Sequence, residues 1–444
     1  MAAIQKNDHL KKIVKTNWLS LFANHQKPVV EVGLSGGVDS VVLTHILFSL
    51  AEELNIQLQA VYVHHGLSQF ADEWANFCAQ FCAKLGIRLH IQKVFVDQKS
   101  TLGVEAEARK QRYRVYQQSK ANIIALAHHQ DDQIETVLLQ LFRGGGVHAL
   151  AGMPSSRLLQ NKSIWRPLLS VSKKQLVEYA NHHDLKHVED DSNASLMYRR
   201  NWVRSEVLPL LRNHVADIDQ HIVRSNYLMQ QSSQILDEVI EQDLAQVSVD
   251  GYFDCLKWDL LTAPRKNLVL LHFVQTEQLG NPSPESLIHF SEQLKVTDPS
   301  TQLLWQLPHG QVYAYKKRLY IEKKYSQPIE PLWINHIKPQ IFENGTLLWI
   351  PHHQGISKKL IDQGVWLCSR ASGEKIQLKV GHKKVKTILQ EQHFPPFLKK
   401  YWPLIFNAQK TECLAIVSVV CRQDEAQETY FPIWVELKSE FKFK

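Results

Sequence analysis

The sequence predicts an α/β protein: a parallel sheet wrapped by helices, then a mainly helical middle region and a small α+β domain at the end. Three observations point there. Between residues 29 and 211, short β-branched runs alternate with longer stretches of helical periodicity, as strand–helix–strand crossovers require. After Pro209 the alternation stops, and residues 218–244 carry the apolar spacing of one long amphipathic helix. From about residue 345 the pattern changes again, to short aromatic-rich runs at 347–350, 365–368, 414–420 and 431–435. The implied domains are 1–213, 214–340 and 345–444.

Within the first domain, strands are expected at 29–34, 58–63, 89–96 and 123–127, each an apolar run suited to burial on both faces. A helix over 41–50 joins the first two. The next helix, 72–85, sets Trp74, Phe77, Cys78, Phe81, Cys82 and Leu85 at three- and four-residue steps, so both cysteines belong to a core stripe. A third helix begins near Glu105 and puts Glu105, Arg109 and Arg112 on one face, in the usual manner of a solvated, salt-bridged surface. After the fourth strand, a helix starting at His128 would align His128, Asp132 and Glu135 along one side. Arg143-Gly144-Gly145-Gly146 ends it, since glycine accepts the left-handed conformation common after a helix.

Composition narrows the function classes. At 444 residues the chain exceeds one ordinary core, and 44% hydrophobic with 21% charged residues marks it as globular. Lys and Arg number 51 against 44 Asp and Glu, and the net charge of +7 favours a polyanionic partner over a cationic one. The six cysteines form no C-x-x-C pair, so neither a zinc ribbon nor a disulfide framework is indicated. No apolar run approaches the roughly 20 residues that cross a bilayer, so no membrane is expected and a soluble, cytoplasmic protein is.

The chemistry concentrates at the ends of the strands. Ser35-Gly36-Gly37-Val38-Asp39-Ser40 lies between the first strand and its helix, where two glycines permit a tight bend and the helix N-terminus presents N–H donors. Such a loop can hold phosphate. It lacks the lysine of G-x-x-x-x-G-K-[ST], which argues against ordinary γ-phosphoryl transfer. Asp39 would repel phosphate unless a cation such as Mg²⁺ lay between them. His64 and His65 close the second strand, and an open parallel sheet binds ligands at that end. His128-His129-Gln130-Asp131-Asp132-Gln133-Ile134-Glu135-Thr136 follows the fourth strand. That cluster fits either a divalent-metal hydrolase or a carboxylate pocket for an amine, with arginines on a facing helix stabilising an adenylate.

The S-G-G-x-D-S string resembles the PP-loop of the N-type ATP pyrophosphatases, which implies a Rossmann-like catalytic domain that splits ATP between its α and β phosphates. The full series is more specific. S-G-G-V-D-S, H-H-G-L-S, E-A-E-A-R-x-x-R-Y, A-H-H-x-D-D-Q-x-E-T, R-G-G-G and Arg166-Pro167-Leu168-Leu169 together resemble the tRNA(Ile)-lysidine synthetases. The likeness continues through Asp190-Asp191-Ser192-Asn193, Arg200-Asn201-Trp202-Val203-Arg204 and Leu208-Pro209-Leu210-Leu211. It resumes at Gly373-Glu374-Lys375, Lys383-Lys384-Val385-Lys386 and Phe394-Pro395-Pro396-Phe397. Between about 215 and 340 the likeness is thin. Ser195 stands where the family often has an acidic residue, and Ser372 where a second glycine is common.

The resemblance implies an ATP-consuming ligase that adenylates the wobble cytidine of a tRNA(Ile) with a CAU anticodon and replaces AMP by L-lysine. It implies that Ser35, Gly36, Gly37, Val38, Asp39 and Ser40 bind ATP, with Asp39 holding Mg²⁺. Arg109 and Arg112 would neutralise developing charge, and His128, Asp132 and Glu135 would orient lysine or the base. Arg200, Arg204, Lys383, Lys384 and Lys386 would grip tRNA, the middle and last domains both binding it. A homodimer stays open as the assembly. The rival within the superfamily is a tRNA thiolase, which would need reactive cysteines in the catalytic domain.

Overall fold

The computed structural model describes residues 2–97, 99–100, 103–189, 199–249, 252–298, 301–321, 329–342, 345–379, 381–392, 394, 396–399, 401–422 and 426–435. Asp190 to Asn193, Ser195 and Pro395 lie outside them. The chain forms two compact units, Met1–Ile235 and Leu236–Lys444.

The first unit is built on β1 (Val29–Gly33), β2 (Gln57–His64), β3 (Arg88–Lys93), β4 (Ile123–Ala125), β5 (Ser156–Leu159) and β6 (Lys162–Trp165), in the order β3-β2-β1-β4-β6-β5. All neighbours run parallel except β5, which returns on β6 as a hairpin. The chain moves from β1 outward to β3, then crosses to β4 on the other side. The switch point therefore falls between β1 and β4, where an open α/β sheet forms its ligand crevice.

The expected helices appear as α2 (Val38–Leu50), α3 (Ala71–Lys84), α4 (Val104–Gln118) and α5 (Gln130–Leu141). Strand alternation divides the core. Val30, Val32, Ile123, Ala125 and Trp165 pack on α2, while Val61, Ile124, Leu126 and Ile164 face Val115 and Tyr116 of α4. Cys78 and Cys82 lie in the α3 core, as their stripe predicted.

The structure adds α1 (Ala2–Phe22), whose Leu10, Val14, Trp18 and Phe22 join the β1 core and whose Asn17 accepts a bond from Trp165 Nε1 at 2.6 Å. It also corrects two expectations. β3 stops at Lys93 and is largely exposed, because it is the edge strand and has a neighbour on one side only. Helix α5 starts at Gln130, with His129 as its N-cap, so His128 precedes the helix instead of sharing its face with Asp132 and Glu135.

Four further helices complete this unit up to the long one: α6 (Val147–Leu150), α7 (Lys173–His182), α8 (Arg199–Trp202) and α9 (Leu208–His214), with a wide π turn over Val203–Val207. The long helix is α10 (Ile218–Val247), within three residues of its predicted end. Asn226 on it donates to the Leu150 carbonyl at 2.8 Å, closing α6 against its start.

In the second unit the helices Ala263–Thr276 and Pro284–Val296 pack on a five-stranded antiparallel sheet that the sequence reading did not anticipate. Its strands are two to six residues long and partly exposed, too short to show a period. The last region holds two sheets: a seven-stranded, mostly antiparallel one that includes the predicted runs as strands Val365–Ser369 and Cys413–Ile416, and a three-stranded antiparallel one in which Thr429–Trp434 pairs with Gly345–Ser357. Among the described residues no helix is long and apolar enough to cross a membrane.

Candidate active site

The bend after β1 is set by Gly36, whose φ is +88°, a conformation that penalises any Cβ. A Cβ there would also lie 2.8 Å from Val188 Cγ2, while one on Gly37 would meet nothing closer than 3.6 Å. Ser40 holds the bend from inside. Its Oγ donates to the Gly37 carbonyl at 2.9 Å and accepts from the Ser35 N–H at 3.2 Å. The first N–H groups of α2 have no intrahelical acceptor, and Gly37 offers no side-chain cap, so these donors face the crevice.

Asp39 sits in that first turn. Lys173 Nζ, at the first position of α7, donates to both its carboxylate oxygens at 2.8 Å, and His129 Nε2 lies 3.7 Å from Oδ2. Burial alone would raise the Asp39 pKa, but His129 and Lys173 outweigh it and hold the carboxyl below its usual range. His129 is the reciprocal case. Burial disfavours its charge, yet Asp39 and Asp132 overcome that and raise its pKa. Neither Lys173 nor His129 was singled out from sequence as a site residue. The capping box of Ser172 and Gln175 marks the start of α7 in the sequence, but not the reach of Lys173 to Asp39.

The carboxylates predicted to meet on one face do meet, and they are already engaged. Asp132 Oδ2 accepts from the His129 backbone N–H at 3.0 Å, and its Oδ1 accepts from Arg200 Nη2 at 2.8 Å. Glu135, only 1% exposed, accepts from Arg200 Nε at 2.7 Å and Arg204 Nε at 2.6 Å. Arg200 and Arg204 thus lie on the acids of α5. Asp131 anchors the rim, taking the Lys173 N–H at 2.8 Å and Arg212 Nη2 at 3.3 Å.

His128 is neutral: burial drives its pKa down to about 3, helped by Arg166, Arg200 and Arg109 against Asp132. Its Nδ1 has no hydrogen-bond partner among the described residues.

The arginines of α4 stand at the neighbouring strand ends. Arg109 Nη2 donates to Tyr113 OH at 3.3 Å, and Arg157 lies over the same ring, 5.0 Å from its centroid. Burial would raise the Tyr113 pKa, but Arg109, Arg157 and Arg166 together lower it. Arg112 Nη2 comes within 3.5 Å of His65 Nε2, and burial with Arg112 pushes that histidine down to about 4. His64 Nε2 lies 3.1 Å from Asp72 Oδ1 at the start of α3.

The ends of β2, β1, β4 and β6 therefore supply, side by side, an open row of backbone donors, one ion-paired aspartate, a histidine whose pKa is raised and several arginines. That combination can bind a polyphosphate and stabilise negative charge that develops next to it. Thiol chemistry has no place in it, since burial raises Cys78 to about 12 and Cys82 to about 11, leaving both as unreactive thiols. In the second unit, Lys383 is paired with Glu391 at 2.5 Å, and Lys384 is the N-cap of the helix Val385–Glu391.

Comparison with known proteins agrees with this geometry. Residues 10–211 match the PP-loop domain family, and residues 365–432 match the TilS substrate C-terminal domain family. A tRNA(Ile)-lysidine synthase from Chromobacterium violaceum is 38% identical over 91% of this chain and 94% of its own. Those of Neisseria gonorrhoeae and Coxiella burnetii are 36% and 30% identical, over 85% and 89% of this chain and 85% and 90% of theirs. Among solved structures, a U34-tRNA thiolase from Methanococcus maripaludis aligns with a TM-score of 0.42 and 20% identity, over 50% of this chain and 78% of that one, a likeness too slight to bear on function.

Proposed function

The chain belongs to the tRNA(Ile)-lysidine synthase family, and from that membership we propose how its residues divide the reaction. The enzyme is a ligase that forms a carbon–nitrogen bond. It uses ATP to adenylate the C2 oxygen of the wobble cytidine in tRNA(Ile), releasing pyrophosphate. The lysine ε-amine then attacks C2 and expels AMP, which changes the codon read from AUG to AUA. Two steps are needed because a carbonyl oxygen leaves poorly and AMP leaves well.

In this reading Ser35 to Ser40 bind ATP through the N–H groups at the start of α2, with Ser40 fixing the bend. Asp39 is the residue that would hold Mg²⁺, since a single carboxylate beside phosphate oxygens is a common magnesium set. Bound there, the ion would supply neutralisation of the pyrophosphate's charge. Lys173 already touches both Asp39 oxygens and is placed to keep the carboxylate facing the loop. Arg109 and Arg112 stabilise charge on the adenylate from the adjoining strand ends.

His128, Asp132 and Glu135 orient lysine or the base. Because Arg200 and Arg204 occupy Asp132 and Glu135, a lysine ammonium would have to share these acids with them. Arg200 and Arg204 act on tRNA while held by that pairing, and Lys383, Lys384 and Lys386 meet it from the last domain. The cytoplasm, where tRNA is processed, is the proposed location, and a homodimer the proposed assembly.

The observation that carries this reading is the Gly36–Gly37 bend with Asp39 at the β1–β4 switch point. Incubation with ATP, radiolabelled lysine and tRNA transcripts should place label on tRNA(Ile) and yield AMP. Release of ADP, or label on no RNA, would refute it. Asp39→Asn should slow adenylation roughly 10²- to 10³-fold, the usual loss for one electrostatic group aimed at a transition state; an unchanged rate would remove Asp39 from the chemistry.

A further inference from the structure

A cleft of about 290 Å³ opens beside the candidate active site, lined by Leu139, Phe142, Arg143, Arg199 and Trp202. It is close to the lower size limit of small-ligand pockets. Its walls belong to the elements that carry the chemistry. Phe142 and Arg143 end α5, about 15 Å along the helix axis from Asp132. Arg199 and Trp202 flank Arg200 on α8, the helix that grips Asp132 and Glu135.

The aromatic groups are unusually open. Phe142 is 53% exposed and Trp202 44%, and their rings meet with centroids 6.0 Å apart at 50°. Among the described residues no acidic side chain lines the cleft, and Arg143 and Arg199 are exposed.

We propose that this cleft is a stacking subsite for one unpaired base of the tRNA anticodon loop, with its phosphates held by Arg143 and Arg199. Every base has a π-face, and single-stranded RNA is gripped by just this pairing of exposed aromatic rings with neighbouring cations. Among the described lining residues the two like charges have no answering acid, so a polyanion gains from both. A base seated on Trp202 ties the loop to α8, whose Arg200 is bonded to Asp132 and Glu135 of α5, so the cytidine to be modified is set over the acids by the same helices. This rests on the reading of the chain as a tRNA ligase.

The test uses the full-length protein and full-length tRNA(Ile) transcripts, intact or with one anticodon-loop nucleotide made abasic, titrated by filter binding. One abasic position should weaken wild-type binding roughly 5- to 150-fold, the range for one stacked base. Trp202→Ala should weaken the intact tRNA by a similar factor and lose sensitivity to that same position, while Trp202→Phe retains both. Unaltered affinity in Trp202→Ala, or losses that simply add at every loop position, would overturn the proposal. So would a Trp202→Ala protein that changes its sedimentation but not its RNA affinity, since the cleft would then serve a second copy of this chain. A fold defect would appear in Trp202→Ala as lost ATP binding, and Trp202→Phe then carries the test, because an unfavourable result with it alone also overturns the proposal. Wild type that shows the stacking pattern but attaches no lysine would leave the subsite standing and remove the ligase reading.

Discussion

At the scale of single residues, the site separates histidines by what surrounds them. Two facing aspartates raise the pKa of His129, whereas His128 and His65, and His45 on α2 beside Tyr179, are kept neutral chiefly by burial, with values near 3, 4 and 4. The three neutral rings take up protons in the unfolded chain below about pH 6.5 while the folded protein refuses them. Stability must therefore fall as pH drops from 6.5 toward 4, each ring contributing at most about 1.4 kcal/mol per pH unit. His129 adds no slope in that window, since its raised pKa gives a contribution already complete below 6.5 and lost only as pH rises. Urea melts of His65→Gln at pH 6.5, 5.5 and 4.5 should show a shallower decline than wild type; parallel declines would remove His65 from the balance. The separate fates of His128 and His129 were not legible in the sequence, because one residue of helix start decides which of two adjacent rings meets Asp39.

At the scale of elements, the loop after β1 makes unlike demands on its two glycines. Gly36→Ala combines a positive φ with a 2.8 Å clash, a cost of about 1–2 kcal/mol from backbone strain alone, and should lower the melting temperature. Gly37→Ala has room and an ordinary φ of −68°, so it should fold normally yet weaken ATP binding by crowding the N–H donors. Equal melting temperatures for the two variants would contradict this assignment. The bend itself was readable, because its glycines, strand and helix agree locally. Helix α1 was not, although Leu10, Val14, Trp18 and Phe22 recur at every fourth position. Polar residues at the start of the chain masked a stripe only one residue wide. Lys173 escaped for a different reason: its contact with Asp39 spans 134 positions, and no local pattern encodes such a distance.

At the scale of the whole molecule, a net charge of +7 favours a polyanion, but its grip must come from particular cations. Lys383 is tied to Glu391, so its replacement releases less counterion than that of an unpaired lysine. Lys386→Ala should reduce the logarithmic salt slope of tRNA binding by up to about 0.9 and Lys383→Ala by less; equal slopes would show that the Glu391 pair opens on binding. The parallel sheet and its crevice end were legible because buried strands and crossover helices impose different periods. The antiparallel sheet of the middle region was not, since its short strands are set by pairing with distant partners. The exposed outer strand β3 has one more consequence. Its free margin is a template on which another chain could add a strand, yet Arg88 and Lys93 bracket it with like charges and His90 and Gln92 interrupt its apolar residues. Two copies approaching edge to edge would repel each other there, so growth of the sheet from molecule to molecule is discouraged at the very place where the fold leaves it unfinished.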